Sequence, residues 1–287
     1  MIVITQPPAA PISAVAHHNV STPRDVSGLI YWGSQHTWKP SRNRLHGYMT
    51  GLKPPRDNQL ANYPWLPCST GVHGAMGSAG NELGIVLQSW SLRRDLAKRR
   101  LGTIVLQCNP TAKLYPLAEG RTQAIYSFDL KVPSSLTTGG AVTQVVAYFA
   151  FADSRNKQSF WLGLNCFDSR GTEKSTDTVL WDRGGTNQPI VKSYAGAPSA
   201  LGGYTAGPHN SRRFSGYQSY RWSVGRSNIE AAVQLLRTHN PGVVYSDDPA
   251  DYYINSINLN PEIYVPDRLF SYAHIGLAVR NWRLDLT

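Results

Sequence analysis

Apolar and polar residues alternate most cleanly over Gln123–Pro133, QAIYSFDLKVP. There Tyr126, Phe128, Leu130 and Val132 fall on one side and Ser127, Asp129 and Lys131 on the other. A period of two with one apolar side predicts a strand buried on one face. Two more runs, Gln144–Ala152 and Ser159–Phe167, flank a polar connector, Asp153–Gln158, and predict a β-hairpin. Its first arm sets Val145, Ala147, Phe149 and Phe151 against Val146, Tyr148, Ala150 and Ala152. Neither face is plainly polar, the pattern of a central strand. The second arm sets Phe160, Leu162, Leu164 and Cys166 against Trp161, Gly163, Asn165 and Phe167. A Trp, a Gly and an Asn in one row suit the floor of a groove that holds something flat and polar.

Further strands are predicted at Leu29–Trp38, Leu83–Trp90, Thr103–Cys108, Asp177–Arg183, Tyr252–Leu259 and His274–Leu286. In the last, HIGLAVRNWRLDL, strict alternation separates Val279 from Trp282, so a bulge near Arg280 is predicted to bring both inside. One strong helix is predicted over Asn228–His239. Ser227 is its cap, Glu230 completes a capping box, Ile229, Ala232, Val233 and Leu236 form its apolar stripe, and Pro241-Gly242 ends it. Pro133–Gly140 reads as a turn, and the Gly-, Ser- and Pro-rich stretches Tyr63–Glu82 and Gly184–Gly216 read as long loops. Residues 1–26 are Pro-rich and aperiodic and read as an extended arm, which leaves 27–287 as a single β-sandwich domain.

Composition agrees with that pattern: 25 Gly, 19 Pro and 15 Tyr beside only 16% charged residues favour β architecture. The net charge of +10 admits a polyanionic partner, either an acidic polysaccharide or, less favoured, nucleic acid. Basic side chains gather in Lys39–Asp57 and Arg93–Arg100. Three cysteines without metal-type spacing imply no zinc site and at most one disulfide. No cofactor or metal is expected. No apolar run approaches the roughly 18 residues of a membrane span, and the N-terminal stretch lacks the basic start of a signal peptide.

The order of a short helix, the strand YYINSINLNPEI and a closing Trp-bearing strand over Tyr220–Thr287 resembles the C-terminal half of concanavalin A-like jelly rolls. Such jelly rolls occur in glycoside hydrolases, polysaccharide lyases and lectin-like modules. The resemblance covers about a quarter of the chain. It implies an all-β fold, two antiparallel sheets in a jelly-roll sandwich, and a secreted or extracytoplasmic carbohydrate-active protein. The alternating acids of retaining glucanases, GxSxG and HExxH are all missing.

Hydrolysis of a glycoside needs two carboxylates about 5 to 9 Å apart, one protonated and one ionised. Glu262, Asp182, Glu82 and Asp129 are the candidates, because each lies in or beside a strand rich in aromatic or apolar residues. Trp161 and Trp181 are candidates for stacking on a sugar, and Asn165 for hydrogen bonding beside Trp161. On an acidic polymer, β-elimination would instead use Arg to neutralise a carboxylate and Tyr or His to move protons. His209, Arg212 and Tyr217 are the candidates for that chemistry. A polysaccharide hydrolase is the first expectation, with no membrane span. A lyase or a non-catalytic glycan-binding lectin-like protein is the alternative, and a structural jelly-roll protein of a virus or phage stands behind both.

Overall fold

The computed structural model describes residues 113–287, apart from 119, 172–176, 182–187, 197–203 and 266–270. Before residue 113 it describes the backbone of six strands. These are β1 (Ile30–Gly33), β2 (Leu66–Ser69), β3 (Val72–Ala79), β4 (Glu82–Ser91), β5 (Arg100–Thr103) and β6 (Val105–Cys108). After them come β7 (Gln123–Thr138), β8 (Val142–Asp153), β9 (Ser159–Asp168), β10 (Thr178–Trp181), β11 (Pro189–Tyr194) and β12 (Tyr204–Ala206). The chain closes with β13 (Phe214–Gly225), α1 (Arg226–His239), β14 (Tyr252–Val265) and β15 (Ser271–Leu286).

The strands form two sheets. Sheet A runs β1-β6-β14-β8-β9-β11-β10, with β5 also on β14, and sheet B runs β12-β13-β7-β15-β4-β3-β2. Neighbours are antiparallel except β9 and β11, which pair parallel. This is a two-sheet jelly-roll sandwich, the fold class that the concanavalin A-like resemblance implies. The predicted hairpin is β8 and β9, and β8 is central, held between β14 and β9. Asp153 closes the turn by accepting from the backbone N–H groups of Arg155 (2.8 Å) and Asn156 (3.0 Å), the Asx geometry that short polar side chains favour.

One core fills the space between the sheets. Tyr126, Phe128, Leu130 and Val132 of β7 point into it, as their alternation requires, and meet Val145, Ala147, Phe149 and Phe151 of β8. Phe149 sits against Trp222 (ring centroids 4.9 Å), Phe151 (5.6 Å) and Tyr126 (5.7 Å). The predicted bulge in β15 is present. Register shifts between Arg280 and Arg283 and Asn281 takes φ 53, so both Val279 and Trp282 are buried.

Four expectations are corrected. Strand β7 continues through Pro133 to Thr138, because Pro133 falls at a register shift where no ladder N–H is required. The turn then comes at Gly139 and Gly140, and Gly139 has φ 59. The stretch Tyr63–Glu82 contains β2 and β3, and Gly184–Gly216 contains β11 and β12 and the start of β13. Helix α1 starts earlier than predicted, with Gly225 at its cap, where Asn228 Oδ1 accepts from the Gly225 N–H at 2.8 Å. Glu230 is thereby released from capping and lies 3.9 Å from Arg226. The stripe of Ile229, Ala232, Val233 and Leu236 is buried as expected. Phe167 leaves the Trp161 face for the core, because a bulge at Cys166 pairs Val145 with Phe167 but Val146 with Asn165. The N-terminal arm and the basic stretch Lys39–Asp57 lie outside the described residues.

Candidate functional site

The register of sheet A gathers one set of side chains on its outer face, away from the core. Successive rows read Ser256, Ala150, Trp161 and Ile190; then Asn258, Tyr148, Gly163 and Lys192; then Asn260, Val146, Asn165 and Tyr194; then Glu262, Gln144 and Asp168. Residue 163 must be glycine for this arrangement. A Cβ there would stand 2.8 Å from Tyr148 Cε1, so only glycine lets the phenol lie across β9. Tyr148 also packs edge-on against Trp161, with centroids 5.1 Å apart, and the Trp161 indole N–H donates to Gln188 Oε1 at 2.6 Å.

The last rows form a hydrogen-bonded chain. Tyr148 donates its hydroxyl proton to Glu262 Oε1 (3.0 Å) and Gln144 Nε2 donates to Glu262 Oε2 (2.6 Å). Gln144 Oε1 in turn accepts from Lys192 Nζ (2.9 Å) and Asn165 Nδ2 (3.5 Å). Asn165 Nδ2 also reaches Asp168 Oδ2 (3.4 Å), and Arg170 grips Asp168 in a fork, Nε to Oδ1 at 2.9 Å and a terminal nitrogen to Oδ2 at 2.5 Å. Burial works against the Asp168 charge, but the Arg170 bonds and the charges of Arg170 and Lys192 outweigh it, holding the carboxyl below its ordinary range. Tyr194 is pushed the other way, by burial and then by the Asp168 charge, so its phenol stays protonated.

Glu262 and Asp168 stand in one row, separated by the single strand β8. Two strand spacings put their Cα atoms about 10 Å apart. The row is buried: Glu262 is 9% exposed, Asp168 and Asn165 0%. Asn165 Oδ1 and both ends of the Asn258 and Asn260 amides, all fully buried, lack a hydrogen-bond partner. Buried polar atoms of this kind are rare, because each forfeits its hydration.

The predicted site residues scatter around the sandwich. Trp161, Asn165 and Glu262 come together on the outer face of sheet A, and His209 joins them edge-on to Tyr194 at 5.2 Å. Trp181 sits half-buried on the edge strand β10, opposite Pro189. Asp129 lies on the outer face of sheet B, held by Ser219 (2.6 Å), Asn281 (2.6 Å) and Arg280 (3.3 Å). Tyr217 is on that same far face, between Lys131 (4.7 Å) and Arg280 (3.9 Å), and Arg212 is exposed before β13. Asp129 therefore does not share a site with Glu262. Glu82 opens β4 opposite Ala79, in sheet B, and Asp182 lies outside the described residues.

Sequence reasoning missed Gln144, Tyr148, Asp168, Arg170, Lys192 and Tyr194. Alternation along β8 already placed Tyr148 on the Trp161 side, so that signal was there. Asp168 had none, since strict alternation assigns it to the core with Cys166 and only the bulge turns it outward. Among the described residues no group of three or more His, Cys, Asp or Glu gathers as a metal site would.

No family model and no curated protein matches the chain. Among solved structures, a family 12 xyloglucanase from Bacillus licheniformis matches at 11% identity and TM-score 0.39, over 82% of this chain and 99% of that one. Endoglucanase cel12A from Rhodothermus marinus matches at 10% and 0.36, over 81% and 95%. The family 11 xylanase from Neocallimastix patriciarum matches at 9% and 0.34, over 76% and 93%. At this level the likeness says nothing about which residues act, and the chemistry has to rest on the side chains of this chain.

Proposed function

We propose that the protein is a polysaccharide hydrolase that works outside the cytoplasm through Glu262 and Asp168. The observation that carries this is the shared row: two carboxylates on one face of one sheet, joined through Gln144 and Asn165. A carboxylate pair divides the labour of hydrolysis when its two environments push the acidities apart. Arg170 keeps Asp168 ionised, which suits it to activating water or stabilising positive charge at the sugar. Proton delivery to the leaving oxygen then falls to Glu262, which must first take up a proton, since both its oxygens accept hydrogen bonds as it stands, from Tyr148 and Gln144. Trp161 and the unsatisfied amides of Asn258 and Asn260 would contact the sugar chain.

The test is a panel of neutral and acidic polysaccharides, assayed for new reducing ends and for ultraviolet-absorbing unsaturated ends. Reducing ends that appear with the wild type and disappear with Glu262→Gln and Asp168→Asn support the proposal. No product across the panel, or full activity in both variants, sinks it. One observation favours elimination as the second reading: His209 packs on the protonated Tyr194, beside Asp168, Arg170 and Lys192. Unsaturated ends lost in Tyr194→Phe would decide for that reading.

A further inference from the structure

The far end of the same outer face carries a cavity of about 260 Å³ that the carboxylate row does not use. Its floor is the hairpin end of sheet A, at Ala150, Ala152 and Ser159. Its walls bring Lys113, Lys157, Gln158, Gln188, Tyr253 and Asn255. Lys113 Nζ stands 4.8 Å over the Tyr253 ring. Lys157, in the left-handed conformation at φ 60, folds its ammonium back to the Ser154 carbonyl at 2.6 Å. The one acid in the lining, Asp153, is spent inside the protein. It accepts from the N–H groups of Arg155, Asn156 and Ser246 and from Asn156 Nδ2. What the cavity shows a ligand is therefore two ammonium groups, neutral amide side chains and the Tyr253 phenol.

We infer that this cavity is a subsite for one anionic sugar residue of an oligosaccharide, read by Lys113 and Lys157. The volume suits a single ring, and aromatic and amide groups beside paired ammonium groups match a pyranose that carries a carboxylate or a sulfate ester. The inference rests on the proposal that the outer face of sheet A binds polysaccharide, and it adds a substrate class: chains with acidic units. Along β8 the cavity floor and Gln144 are eight residues apart, about 26 Å. A chain bound at both ends would thus place its charged unit several sugars from the carboxylate row. The Gln188 amide, which lines the cavity and holds the Trp161 indole, links the two regions.

The experiment is calorimetric titration of the full chain with a galacturonate oligosaccharide, a sulfated oligosaccharide and a neutral one of equal length, at low and raised salt. Expected is at least tenfold tighter binding of one anionic ligand over the neutral one, weakening with salt. Lys113→Met and Lys157→Asn should each remove most of that preference, and asparagine tolerates the positive φ at 157. Which anion is preferred tells carboxylate from sulfate. Equal binding of charged and neutral ligands, or a preference that survives both substitutions, overturns the inference. If Lys157→Asn melts early, Lys113→Met alone decides, since Lys113 is exposed. Lysine-dependent binding in a protein that releases no product would leave the subsite standing and remove only the hydrolase.

Discussion

The two outer faces of the sandwich solve the same problem in opposite ways. Each sets a carboxylate among cations and amides on a sheet whose other side is core. On sheet B, Asp129 is satisfied by Ser219, Asn281 and Arg280, and Tyr217 lies between Lys131 and Arg280. That face lies toward water, as surface ion pairs usually do. On sheet A, Glu262 and Asp168 are buried, and next to them the amides of Asn258 and Asn260 have no partner. A folded chain tolerates such unsatisfied groups where they serve something other than stability. On the proposed function, the work of the protein falls to sheet A.

The comparison breaks most sharply at its acids. Glu262→Gln should lower the rate of reducing-end release about a thousandfold, the scale of losing a proton-transferring group, while Asp129→Asn should leave the rate unchanged. Equal losses in the two variants would mean that the faces are not different in kind. Phe149→Ala should next cost about 3 to 5 kcal/mol of stability in a denaturant melt. Phe149 is buried in the core beneath both faces, between Tyr126, Phe151 and Trp222, so its loss should not favour one sheet over the other.

Two glycines sharpen the contrast. Gly163→Ala should cost about 1 to 3 kcal/mol as an overpacking change and should also lower activity, because the new methyl displaces Tyr148 from Glu262. Gly216→Ala, on β13 of sheet B with nothing within 4 Å of its Cβ, should be close to neutral in both assays. The smallest effect is in acid titration of the melting temperature. Burial lowers the His274 pKa, so folding favours its neutral form; the stability that this adds is full above about pH 6.5 and fades as pH falls below it. Asp129, Asp153 and Asp168 are also held low, each against its burial by hydrogen-bond donors, so their contribution is full above about pH 4 and is lost below. His274→Gln should remove the first decline and leave the second.

Much of the scaffold was legible because it is written in side-chain periodicity. The inward residues of β7, the hairpin, the stripe on α1 and the bulge that buries Val279 with Trp282 all follow from counting apolar positions. Strands β2, β3, β11 and β12 were not legible, and β13 was not predicted either, although its Tyr220, Trp222 and Val224 alternate into the core. The Gly, Ser and Pro content of the stretches that hold β2, β3, β11 and β12 reads as loop, although β11 buries Val191 in the core. The site fell between these cases. Trp161 and Asn165 lie on a regular stretch of β9, where alternation places them together. Asp168 comes after the extra residue Cys166, and one added residue exchanges the two faces. Lys192 and Tyr194 belong to the strand hidden in the glycine-rich stretch, and its parallel pairing to β9 has no local signature.

A hydrogen bond crosses the core of the sandwich. The Tyr126 hydroxyl, rooted in sheet B, donates through the core to the backbone carbonyl of Asn258 in sheet A, 3.0 Å away. It acts as a strut. Sliding one sheet past the other would strand a phenol in an apolar interior, so the bond opposes that motion. On the proposed function, a ligand at the Glu262 face meets a sheet braced from beneath, with the sandwich serving as an anvil.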